Sequence, residues 1–244
     1  MTHIANGVNL LFPHGERFFV RSVRHYLDRI DDETLRAEVR AFFGQEGRHA
    51  HAHEEYFDAL RAQGYDIDPF LRTYQKIFDW LERIHPPAFR LAVTVALEHY
   101  TAILAEGAFV ERAFEQNVHP TMARLLRWHA AEEIEHKAVA FDVLARIAPG
   151  YPLRMTGMAL ATLGLGIFWI AATGTLLAQD MRAGRALRSH DVRVMQARER
   201  SIGRDVFLRG LKEYARPDFH PHDRDNSDLA TAFLSTLERD APVA

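Results

Sequence analysis

The pattern Glu-x-x-His stands in two stretches of this chain rich in histidine and glutamate, as Glu46-x-x-His49 within Gln45–Phe57 and as Glu133-x-x-His136 within Trp128–Leu144. On a helix this spacing puts carboxylate and imidazole on one face, one turn apart, where both can reach one metal ion. A single copy says little, because the pair is common by chance. Two further acidic residues, Glu16 and Glu98, interrupt otherwise apolar helical stripes. One Glu from each of two helices plus Glu-x-x-His from each of two others is the ligand set of carboxylate-bridged di-metal helix bundles.

The hydrophobic pattern supplies the helices. Phe19, Val20, Val23, Leu27 and Ile30 recur at helical spacing, and Glu16 extends their stripe by a turn. Residues 1–12 read as an extended arm. Ile30-Asp31-Asp32-Glu33 reads as a turn and N-cap for a helix over about Glu33–Ala62, with Phe42, Glu46, His49, His53, Tyr56 and Leu60 on one face. A shorter helix near Phe70–Ile84, closed by His85-Pro86-Pro87, reads as a crossover. A third long helix, about Ala88–Gln116, carries Glu98. A fourth spans roughly Thr121–Ile147, between the turn at Asn117–Pro120 and the stop at Ala148–Pro152.

The turns give a geometric test. In an antiparallel pair, residues equally far from the connecting turn lie level. Glu16 and Glu46 are each 15 residues from Asp31, while Glu98 and Glu133 are 19 and 16 from Asn117. At 1.5 Å per residue the mismatch in the second pair is about 4–5 Å, which ligand side chains absorb. Each hairpin therefore brings a lone Glu level with a Glu-x-x-His.

After Pro152 the character changes. Met155–Ala178 is 24 residues without a charge, long enough to span a membrane. The competing reading is a fifth helix packed on the bundle or lying at a membrane surface, with Gly157, Gly164, Gly166 and Gly174 allowing close approach. Arginines flank both ends, so charge asymmetry assigns no orientation. Beyond it, Gln179–Ala215 reads as charged and helical, and Asp228–Glu238 as a short terminal helix. The expected organisation is an all-α four-helix bundle of two antiparallel hairpins and a crossover helix over 1–150, with extra C-terminal helices over 151–244.

Composition narrows the chemistry. A net charge of −3 and a pI near 6.5 leave no electrostatic footprint for nucleic acid. The chain has no cysteine, so disulfides, thiolate metal sites and cysteine nucleophiles are excluded, and a reducing compartment fits. The start lacks a basic region followed by a long apolar core, so a cytoplasmic location, with membrane association open, is expected. Oxygen-rich ligands with one nitrogen per metal suit iron, manganese or a mixed Mn/Fe pair better than structural zinc. The expected metal ligands are Glu16, Glu46, His49, Glu98, Glu133 and His136. Glu132 also forms a one-face pair with His136, but the repeated three-residue spacing favours Glu133. His53 and His129 are extra-ligand candidates or polar lining of the cavity. Asp142 is a candidate acceptor for a metal-bound imidazole, and Thr101 a candidate lining residue.

The segments Phe12-Pro-His-Gly-Glu16, Gln45–His53, Glu98-His-Tyr-Thr101, Trp128–His136 through Asp142, and Phe219-His-Pro221 together resemble the family labelled predicted metal-dependent hydrolases, a member of the ferritin-like superfamily. The resemblance spans nearly the whole chain and implies a ferritin-like di-metal bundle. The ligand chemistry points first to a non-haem di-iron oxidase or oxygenase. Its partners would be dioxygen, an electron donor and a small or acyl-chain-like apolar substrate. Hydrolysis by a metal-bridged hydroxide is the alternative, and a non-catalytic metal-binding bundle a third reading. Membrane-surface association and a homodimer are further expectations.

Overall fold

The computed structural model describes residues 2–113, 118–185 and 202–240. Among these the chain is all-helical, with no strand. Helix α2 (Phe12–Arg24) leads through a 3-10 turn at Leu27–Arg29 into α3 (Glu33–Ala62). The start of α3 is fixed by Asp32, whose Oδ1 accepts from the backbone N–H of Thr34 and Leu35 at 2.9 and 3.0 Å. Helix α4 (Asp68–Ile84) crosses back to α5 (Pro87–Val110), and α6 (Pro120–His136) and α7 (Val139–Ile147) return along it. Proline stands in the first turn of α4, α5 and α6, where its missing N–H costs nothing.

The two hairpins pack as the bundle expected from sequence. Between them Glu46 meets His136, His49 meets Glu132 and His53 meets His129, so numbering rises on α3 as it falls on α6. The main core joins Phe18, Phe19 and Val23 of α2, Phe42 of α3, Leu91 and Tyr100 of α5, and Met158 of the following helix.

That helix is α8 (Tyr151–Arg182), packed along α5 and along α1 (Thr2–Asn9). Its outer face leaves Leu163, Ile167 and Ile170 exposed. Both α5 and α8 are long and apolar enough to cross a membrane; their apolar windows are 67% and 28% buried in the fold. Of the four glycines expected to permit close packing, one does so. A Cβ on Gly157 would lie 2.6 Å from the backbone C and O of Ala92, whereas Gly164, Gly166 and Gly174 have nothing within 4 Å.

Three boundaries depart from expectation. The arm before Phe12 is not extended but helical over Thr2–Asn9: Trp169 Nε1 donates to Ile4 O at 2.7 Å, and Gly7 abuts Thr173. Packing against α8 supplies what so short a helix lacks by itself. The third helix ends at Val110, with Arg112 in the left-handed region (φ 51°), and its expected end at Gln116 lies outside the described residues. The expected single helix Thr121–Ile147 is broken after His136. Lys137 turns its buried ammonium to Arg224 O and Asn226 Oδ1, both at 2.6 Å, and α7 begins at Val139. Within Gln179–Ala215, α8 continues to Arg182, residues 186–201 lie outside the described ones, and a π-helical segment at Ile202–Leu208 leads into α9 (Arg209–Tyr214). The terminal helix α10 covers Ser227–Asp240.

Candidate metal centre

Glu16 from α2, Glu46 and His49 from α3, Glu98 from α5, and Glu133 and His136 from α6 converge at the middle of the bundle, none more than 3% exposed. His136 Nε2 lies 3.0 Å from Glu46 Oε1, 3.4 Å from Glu98 Oε2 and 3.6 Å from Glu133 Oε2. His49 Nδ1 lies 3.8 Å from Glu46 Oε1 and 3.7 Å from Glu133 Oε1. Ligand atoms of Glu16, Glu46 and His49 fall within 4.8 Å of one another, as do those of Glu46, Glu133 and His136. Glu46 lies within reach of both imidazoles, as does Glu133. Of the cage carboxylates these two lie within 4 Å of both imidazoles, and they would be the ones to bridge a pair of ions.

The residues fit such ions by what they lack. Both carboxylate oxygens of Glu16, Glu46 and Glu98, one of Glu133, His49 Nδ1 and His136 Nε2 are buried without a hydrogen-bond partner. An unsatisfied buried polar atom is costly, and so many aimed at one volume call for cations. Without them protons do part of the work. Burial, reinforced by Glu46, Glu133 and Glu98, pushes the Glu16 carboxyl well above its ordinary range. Burial does the same to Glu98 despite His136 beside it. Burial opposes charge on Glu133 and His136 too, but each sustains the other's. Glu133 is held well below the usual carboxylate range by His136, and His136 well above the usual imidazole range by Glu133 and Glu98.

These shifts fix a pH dependence. Glu16 and Glu98, raised in the fold, stabilise it fully below about pH 4.5, their ordinary value, and lose that contribution as pH rises through the raised values. His136, also raised, acts in the same sense above its ordinary 6.5, while Glu133 loses its contribution only as pH falls below 4.5. The metal-free protein is therefore expected to melt at progressively lower temperature from about pH 5 to 8, and the metal-loaded protein much less so. Metal uptake should release protons, measurable by calorimetry in buffers of different ionisation heat.

Outer partners orient the imidazoles. His49 Nε2 donates to Glu132 Oε2 at 2.9 Å, and Arg48 donates to Glu132 Oε1 at 3.2 Å. Glu132 thus holds His49 by Nε2 and leaves its Nδ1 facing the cage. His136 Nδ1 donates to Gln45 Oε1 at 3.3 Å, so Nε2 is the free nitrogen. His53 is hydrogen-bonded to Asn9 and to His129, and His129 Nε2 lies 2.8 Å from Glu133 Oε1. Two candidates lie elsewhere. Asp142 does not meet a metal-facing imidazole; its Oδ1 accepts from His220 Nε2 at 3.0 Å, because the break after His136 reorients α7. Thr101 donates to Glu98 O at 2.9 Å and lines an apolar cavity rather than the ligand cage. Sequence reasoning missed Asn9 and Gln45 as hydrogen-bond partners. Gln45 directly precedes Glu46, yet nothing in its spacing marks it.

A family model described as a predicted metal-dependent hydrolase matches residues 1–225. The chain belongs to that family. Its described metal dependence agrees with the buried Glu/His groups, which are able to hold metal ions. No curated protein and no solved structure matches the chain.

Proposed function

We propose that this member of the predicted metal-dependent hydrolase family is an enzyme that holds two divalent ions between Glu16, Glu46, His49, Glu98, Glu133 and His136 and acts on an apolar, chain-like substrate. The observation that carries the reading is the cage of buried ligand atoms left without protein partners. An ion pair there supplies an acidified water and polarises a carbonyl, the chemistry of ester or amide hydrolysis that the family description favours. The chain's own residues do the rest. Glu132 and Gln45 hold the two imidazoles in one tautomer, and Phe12 and Trp128 wall the centre against water.

The substrate class rests on a cavity of about 90 Å³ that reaches Glu16 from between α4, α5 and α8, lined by Phe18, Tyr74, Phe78, Leu97, Leu165 and Phe168 among others. The exposed Leu163, Ile167 and Ile170 on the same α8 support delivery from a membrane surface.

A second reading is oxidation of the substrate by dioxygen, with iron in the centre and an external electron donor. One observation favours it. The cavity offers a substrate almost no polar group for orientation, since the Thr101 hydroxyl is already engaged with Glu98 O.

Metal analysis of the freshly purified protein, followed by parallel assays, separates these readings. Hydrolysis predicts turnover of long-chain esters or amides by zinc- or manganese-loaded protein without oxygen uptake. Oxidation predicts oxygen consumption and a transient visible band from the reduced iron protein. Fewer than two bound ions would sink both.

A further inference from the structure

We propose that His129 is a third imidazole ligand of this centre, so that its two metal positions are chemically unequal. The inference rests on the two-metal reading and goes beyond it.

The structure separates His129 from His53, its neighbour across the bundle. Both nitrogens of His53 are engaged: Nδ1 with Asn9 Oδ1 and Nε2 with His129 Nδ1. With the Asn9 oxygen facing His53, the proton on His53 sits at Nδ1, so His53 Nε2 accepts from His129 Nδ1–H. His129 is then left with a bare Nε2. That nitrogen points into the cage, 2.8 Å from Glu133 Oε1 and 3.6 Å from Glu16 Oε1. A lone pair facing two carboxylates needs a cation between them.

A proton at this position would serve Glu133 and leave Glu16 with two buried oxygens unpartnered. A metal ion in the same corner serves Glu16, Glu133, His129 and the free Nδ1 of His49 together. Ligand atoms of His49, His129 and Glu133 lie within 4.8 Å of one another, and those of Glu16 and His129 are equally close. The rings are held for it: His129 stacks on His49 at 4.1 Å and 25°, and Phe12 packs against His129 and His53 at 4.7 and 4.8 Å.

The consequence is an uneven pair. One position takes two imidazoles, from His49 and His129, with Glu16. The other takes one, His136, with Glu98, while Glu46 and Glu133 reach both. Nitrogen-rich ligation favours metals later in the divalent series, and oxygen-rich ligation suits manganese. Unequal positions fill in order and can hold different metals.

Each proposed ligand imidazole keeps an N–H on its far nitrogen with a buried acceptor: Glu132 for His49, Gln45 for His136 and His53 for His129. Proton NMR of the protein loaded with two equivalents of Co2+ counts them, because an exchangeable N–H on a cobalt-bound imidazole is displaced far outside the ordinary range. Three such signals are expected. His129→Gln should remove one and weaken binding of the first cobalt by at least the roughly 10–100-fold that loss of an outer partner costs. His53→Gln, which can still accept from His129, should keep all three. Two bound cobalt ions with only two signals in the wild-type protein would overturn the proposal. They would mean that the Asn9 amide is turned round and that His129 donates to Glu133. The wild-type count decides even if His129→Gln fails to fold. No cobalt uptake would instead overturn the two-metal reading itself.

Discussion

Replacing Glu46 by Gln is expected to make the metal-free protein more stable and the metal-binding protein inert. Glu46 sits at 0% exposure among Glu16, Glu98 and Glu133, and its charge is among the influences that push the carboxyls of Glu16 and Glu98 upward. Removing that charge relieves repulsion in a fully buried site. His136 keeps Glu98 and Glu133 at 3.4 and 3.6 Å when Glu46 is neutral, so relief of the repulsion outweighs the lost contact, and the gain should be largest where the carboxylates are most ionised, near pH 8. The amide cannot bridge two cations. Metal content should fall from two ions to one or none, and turnover by more than the roughly 10–100-fold that outer-partner losses cost. Thermal melts of metal-free protein and elemental analysis of metal-loaded protein measure the two effects. Retention of both ions by Glu46→Gln would refute the bridging role.

Gly157→Leu is expected to be the most damaging single change outside the centre. Helix α8 comes so close to α5 at this point that even a methyl would meet the Ala92 backbone at 2.6 Å, and backbone cannot swing aside as a side chain can. The helices must separate, which costs about 3 kcal/mol or more, the upper end of what overpacking does. For a chain of this length that corresponds to a fall in melting temperature of about 6–12 °C. Gly164→Ala, on the same helix with nothing within 4 Å, should instead gain up to about 1 kcal/mol from helix propensity. If the two variants melted alike, close packing at Gly157 would not be what holds α8 to α5.

The contrast between these glycines shows where sequence stops being legible. All four look alike in the chain, and only the register of α8 against α5 distinguishes them. The same holds at the centre. The duplicated Glu-x-x-His, the lone Glu16 and Glu98, and the turn distances were enough to bring six side chains to one height, because helical rise and short turns are local properties. The Asp32 cap and the bounds of α3 were readable for the same reason. Glu132 was visible only as a rival to Glu133; its bond to His49 depends on the rotation of α6 against α3, which no local spacing encodes. The helix at Thr2–Asn9 has the look of an extended arm in the sequence because its stability comes from Trp169 and Thr173, more than 150 residues away. The interruption after His136 escaped notice because both Lys137 and Ala138 suit a helix, and the force that diverts the chain is the attachment of Lys137 to Arg224 and Asn226.

That attachment joins two distant parts of the molecule thermodynamically. His136 ends α6, and the next residue is fastened to a tail whose Asn226 also donates to Glu106 on α5 at 3.0 Å. Anything that lifts the 224–226 segment from its seat alters the orientation of the His136 imidazole in the cage. Linkage requires the reverse as well: an occupied centre clamps the tail more firmly than an empty one does.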